Sequence, residues 1–160
     1  AGPITPEDHW KAAMRPDTSR TLQGVAVNLL TNVMGETRTP FGQQTVGIAA
    51  QLALWVAEEC ERGADRLVVE NRATRELLAD GLSLAGSARA EVEAAIATPP
   101  AKDFRISSLQ AENDALRRGL IALHAAVEAT EGSEAHAFNE RIWDELVEST
   151  KRRQFAMRLG

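Results

Sequence analysis

A nine-residue phrase occurs twice in this chain, and its two copies restrict the fold more than any other feature. They are Glu70-Asn71-Arg72-Ala73-Thr74-Arg75-Glu76-Leu77-Leu78 and Glu112-Asn113-Asp114-Ala115-Leu116-Arg117-Arg118-Gly119-Leu120. Glu, Asn, Ala, Arg and Leu recur at matching places, and Leu67 and Leu109 extend the match upstream. Each copy sits on an apolar repeat that alternates three and four residues, the spacing of a packed helix. Each Asn therefore falls where such a helix expects an apolar side chain, as a device for register or as part of a polar site.

The rest of the chain reads as helical too. Apolar positions Leu22, Val25, Ala26, Leu29, Leu30 and Val33 predict a helix over 18–35, capped by Asp17, Thr18 or Ser19 and stopped at Gly35. A second, long helix is predicted over about 42–80, with Ala50, Ala53, Ala57, Cys60, Ala64, Leu67, Asn71, Thr74 and Leu78 on one face. At 1.5 Å per residue it would reach about 57 Å, so a bend near Gly63 or an elongated molecule is expected. A short helix follows over 87–97, ended by Pro99-Pro100. The cleanest pattern, Ile106, Leu109, Asn113, Leu116, Leu120, Leu123 and Val127, predicts a helix over 103–130. Phe138, Ile142, Leu146 and Ser149 predict the last, over 134–157, with Trp143 and Val147 beside them. No strand-like alternation occurs. The expected fold is all-α: an antiparallel bundle of about four main helices, one long and central, with a short extra helix. Residues 1–17, with a weak helix signal at Thr5-Pro6-Glu7-Asp8, read as an N-terminal arm, and 18–160 as one bundle domain.

Composition supports helix-on-helix packing. Aromatics are only 4% of 160 residues and Tyr is absent, so the core must be made of Leu, Ile, Val and abundant Ala. A net charge of −5 argues against nonspecific nucleic-acid binding, which depends on neutralising phosphates. The longest apolar stretch, Ile48 to Ala57, is far short of the roughly 20 residues of a membrane span. Cys60 is the only cysteine, which excludes an intrachain disulfide and fits a reducing cytoplasm. No secretory leader is legible in residues 1–30.

Chemistry-bearing residues are few. Asn71 and Asn113, with Asn28 and Asn32 four apart on the first helix and expected inward, could line a polar cavity that binds a small molecule. His124, at the edge of the 103–130 helix, is the histidine nearest that core. Amides do no acid–base work, so such a cavity would orient a ligand. Neither a metal nor a cofactor is expected: no Glu-x-x-His motif of the di-iron bundles occurs, and Glu58-Glu59 are expected to be solvated. Cys60 reads as a buried small side chain amid Glu58, Glu59 and Glu61, a poor setting for a nucleophile. Lys151-Arg152-Arg153 and Arg158 suit a helix C-terminus. Thr37-Arg38-Thr39-Pro40-Phe41-Gly42 is the loop with the most functional groups.

The charges of the phrase carry one more clue. With each Asn as an a position, the Glu before it is g and the Arg four later is e. In parallel pairs g reaches e′ five residues on, which suits Glu70, Arg75, Glu112 and Arg117 across two helices or two chains, as exposed ion pairs. Antiparallel pairing of the two phrases is the competing expectation, because short connections join antiparallel neighbours. The expected function is a non-enzymatic interaction protein: a homodimer, or a small subunit of a larger assembly, since the Ala-rich half of the long helix has only one obvious partner. The alternative is a small-molecule-binding bundle or an enzyme built around Asn28, Asn32, Asn71, Asn113 and His124.

Overall fold

The computed structural model describes residues 17–156, all of whose regular structure is helical. The weak helix signal near Thr5, His9 and Arg158 lie outside the described residues. Helix α1 (Thr18–Asn28) is capped by Asp17, whose carboxylate accepts from Arg20 N–H at 3.1 Å. It continues through one wide π-type turn (Leu29–Val33) into a last turn (Met34–Glu36).

Helix α2 (Pro40–Asp80) is a single helix through Gly63. It starts two residues before Gly42 because Thr39 is its cap: the hydroxyl accepts from Gly42 N–H at 3.1 Å, and Pro40 takes the first position, where no N–H is needed. Two 3₁₀ turns (Leu82–Leu84 and Gly86–Ala88) lead into α3 (Arg89–Ile96). Helices α4 (Ile106–Glu128) and α5 (Ser133–Arg152) follow, joined by a turn in which Gly132 adopts φ 124°, a conformation that favours glycine.

The chain forms two compact units, one of described residues up to Glu61 with Phe155 and Ala156, the other Arg62–Gln154. In the first, α1 and the opening of α2 make a hairpin. Gln43 donates to Thr37 O at 3.1 Å across its turn, and Met34 lies over Gly47. Returning chain packs on α2: Phe155 stacks on Trp55 with ring centroids 5.4 Å apart, and Glu58 accepts Ala156 N–H through both oxygens, at 3.0 and 2.9 Å. Glu58 is thus buried rather than solvated. Cys60 is exposed, not buried as its place in the Ala strip suggests. The same strip is buried on either side of it, at Ala57 and again at Leu67, Asn71, Thr74 and Leu78, so the exposure is local to Cys60.

The second unit is a four-helix bundle whose consecutive helices alternate in direction. Ala95 opposes Gly119 while Ala101 opposes Glu112, so α3 and α4 are antiparallel. Asp80 pairs with Arg141 and Glu70 with Arg153, so α2 and α5 are antiparallel. Leu78, Leu116, Leu123, Val92, Val127 and Ile142 form the centre of the core, each at most 1% exposed. Two glycines set its closest approaches. A Cβ on Gly81 would lie 2.6 Å from the Phe138 ring and 2.7 Å from Leu123, and one on Gly119 would collide with Ala95 Cβ. Gly119 occupies mid-helix despite costing about 1 kcal/mol relative to Ala, because α3 lies against it. Ile106, expected inward, is exposed at the first turn of α4.

Candidate functional site: the paired asparagines and their flanking clefts

The two phrases meet side by side and parallel. Asn71 faces Asn113, Leu78 lies beside Gly119, and Gly81 beside Leu123, so positions rise together along α2 and α4. The antiparallel expectation fails here for a topological reason. Antiparallel packing applies to consecutive helices, and α3 intervenes, which restores the direction of α2 in α4.

At the contact, Asn113 Nδ2 donates to Asn71 Oδ1 at 2.8 Å, and Asn71 Nδ2 donates to Leu109 O at 3.0 Å. Both residues are buried, at 1% and 4% exposed. The direction of this relay is fixed, because a carbonyl at Leu109 can only accept. Turning either amide would set oxygen against oxygen. Asn113 Oδ1 is therefore the free end of the relay, and it is buried with no hydrogen-bond partner among the described residues.

Flanking charges cross between the helices as the parallel reading requires. Glu112 accepts from Arg75 at 2.8 Å, and Glu70 lies 3.9 Å from Arg117. The carboxylates are buried rather than exposed, with Glu70 at 2% and Glu112 at 9%. Each has a further donor from a third element: Ala101 N–H reaches Glu112 at 2.8 Å, and Arg153 Nε reaches Glu70 at 3.0 Å. Arg75 also donates to the carbonyls of Ile96 and Thr98, closing the end of α3. Buried carboxylates need such full hydrogen bonding to offset their desolvation.

A cleft opens on either side of the amide relay. One, of about 380 Å³, is lined by Asn71, Val68, Leu109, Phe104, Arg72 and Lys102, among others. The other, of about 360 Å³, lies between α4 and α5 and is lined by Asn113, Asp114, Arg117, Ser149, Thr150 and Arg153, among others. Both volumes fall in the range of small-ligand sites.

The remaining sequence candidates lie elsewhere. Asn28 and Asn32, expected inward, are exposed in the first unit, where Asn32 donates to Asn28 at 2.6 Å. Among the described residues no element packs over that edge of α1 to bury them. His124 sits at the α4–α5 contact, 2.9 Å from Asn139 Oδ1 and edge-on to Trp143. The Thr37–Gly42 loop uses its hydroxyls structurally: Thr37 donates to Val33 O and Thr39 caps α2. Lys151, Arg152 and Arg153 each hold a carboxylate, on Glu148, Glu145 and Glu70 respectively. Arg153 and Ser149, read from the sequence as a helix C-terminal charge and an inward helix position, are site residues that the sequence did not connect with the phrase. They carry no repeat signal, and only the return of α5 brings them to the phrase.

No described helix is long and apolar enough to cross a membrane. No protein family, curated protein or solved structure matches this chain.

Proposed function

We propose that this chain is a non-enzymatic helical interaction protein that works as a homodimer, joined through the hairpin of α1 and the opening of α2. One observation carries the reading. Ile48, Leu52 and Val56 recur every four residues along α2 and are 54%, 50% and 50% exposed. Val25 and Val27 on α1 are similarly exposed, at 46% and 57%. A helix that keeps an apolar stripe in water is destabilised by it, and covering the stripe recovers about 25 cal/mol for each Å² removed. The buried apolar side chains of this hairpin are small, with Ala26, Ala50 and Ala57 at most 1% exposed, so its own core supplies little.

A second hairpin is the partner whose stripe matches by construction, because a two-fold axis sets identical surfaces face to face. Four helices then enclose one apolar layer. A reducing cytoplasmic setting belongs to this reading, since Cys60 is an exposed free thiol. The first unit supplies the joint, and the bundle of the second is the body it joins.

Light scattering on the purified chain at micromolar concentration tests this. A mass of twice the chain is expected, and Leu52→Glu or Ile48→Glu should give monomers with unchanged helical circular dichroism. A monomeric mass for the unaltered chain overturns the reading.

A further inference from the structure

We infer that the cleft between α4 and α5 binds a small free α-amino acid as its zwitterion. The cleft offers complementary groups for both ends of such a molecule. Its acceptor side is the free end of the amide relay. Asn113 Oδ1 is buried and unpartnered because Asn113 gives its donor to Asn71 Oδ1 and Asn71 gives its own to Leu109 O. Buried acceptors are rarely left open, and Asn113 is one of the residues that line this cleft, so its open oxygen calls for a donor from what fills it. The Asp114 carboxylate follows on the same rim, already accepting from Gln110 at 2.7 Å and keeping further lone pairs. Ser149, 8% exposed, brings a hydroxyl from α5. An ammonium group has three donors, enough for these oxygens together.

The donor side is made by two guanidinium groups that converge on one carboxylate. Arg153 holds Glu70 through Nε at 3.0 Å and through Nη2. Arg117 is drawn toward the same carboxylate but stops at 3.9 Å, beyond hydrogen-bond length. Its donors are therefore not engaged there, and it is 40% exposed at the cleft. Two cations share one buried anion, so one positive charge is left for a ligand carboxylate, which Arg binds well through paired N–H groups. Asp114 balances that charge at the rim. A cleft that is neutral overall but has separated signs favours a ligand of the same kind: neutral, with a carboxylate and an ammonium borne on one carbon. A simple carboxylate leaves Asn113 Oδ1 unmet, and a simple amine leaves Arg117 unmet.

This inference does not rest on the dimer, since every group named belongs to the second unit. A monomeric chain could bind, and a dimer could fail to.

The test is titration of the isotope-labelled chain with each free natural L-amino acid, followed through backbone amide NMR signals. At least one should shift the signals of Asn113, Arg117, Ser149 and Arg153 saturably at millimolar concentration or below. Its N-acetyl derivative, which lacks the ammonium, and its carboxamide, which lacks the carboxylate, should each bind at least about tenfold more weakly. Arg117→Gln should lower affinity by about tenfold with the spectrum otherwise intact, whereas Arg72→Gln, at the other cleft, should leave it unchanged. Absence of saturable shifts at these residues for every amino acid overturns the inference. So does an N-acetyl acid that binds as tightly as the free one, or an Arg117→Gln chain that binds as the parent does.

Discussion

Asn113 donates to Asn71 across two parallel helices, and the forty-two residues separating them in sequence are also the spacing between the two copies of the phrase. The repeat is thus in register with itself. Glu70 meets the Arg of the other copy, and so does Glu112. Two like segments side by side make a local two-fold arrangement, yet the hydrogen bonds break it. An amide pair must run in one direction, so Asn71 ends on a carbonyl and Asn113 ends on nothing.

That asymmetry predicts unequal mutants. Asn71→Leu leaves the whole Asn113 amide without a partner. Asn113→Leu removes the open acceptor and leaves Asn71 still bonded to Leu109 O. Chemical denaturation should show Asn71→Leu costing about 1–3 kcal/mol and Asn113→Leu less, with the double mutant costing less than the sum of the two. Strict additivity would mean that the amides do not meet.

Gly119 should not tolerate a methyl group. A Cβ there collides with Ala95, so Gly119→Ala forces α3 away from α4. Helix propensity alone would make the substitution stabilising by about 1 kcal/mol. Overpacking of a tight contact costs about 1–3 kcal/mol, and it should win. A drop in thermal midpoint is expected, reversed in part by adding Ala95→Gly. A rise on Gly119→Ala would show that the contact is loose.

Two glutamates three residues apart on α5 should titrate in opposite senses. Burial lifts the Glu145 carboxyl above the ordinary glutamate range and outweighs the pull of its partner Arg152. The Lys151 ammonium, bonded to Glu148, holds that carboxyl below the range. A raised carboxyl binds its proton more tightly in the folded chain. Its contribution to stability is present below the unfolded value and is lost as pH rises through the folded one. For Glu148 the sense is reversed: the contribution is present above the unfolded value and is lost as pH falls through the folded one. Side-chain carboxyl NMR should put the Glu145 midpoint above that of Glu148. The opposite order would mean that the Arg152 pair, not burial, governs Glu145.

The helices were legible from residue spacing, and so was the long span of α2, because three–four periodicity and cap residues act locally. Thr39-Pro40 marked the true start of that helix, but the signal reads equally as a turn until its hydroxyl finds Gly42 N–H. The sequence also held the parallel pairing, in the Glu and Arg spacing of the phrase. It could not rank that clue against the preference for antiparallel neighbours, because the ranking depends on whether α3 reverses the chain.

What the sequence alone determined is that two like helix segments exist, each with an inward Asn and a Glu–Arg frame. Periodicity and side-chain chemistry need no tertiary context to say so. Tertiary structure decided which positions of the α2 repeat are covered: Cys60 is exposed, although Ala57 before it and Leu67 after it are buried. It decided that Glu70 and Glu112 are buried, since only the return of α5 and the loop after α3 supply Arg153 and Ala101 N–H to hold them. It also separated the asparagines by role. Asn28 and Asn32 share the spacing of inward residues but remain in water, while Asn71 and Asn113 are enclosed because other helices close over them. Enclosure comes from long-range packing, which no single segment encodes.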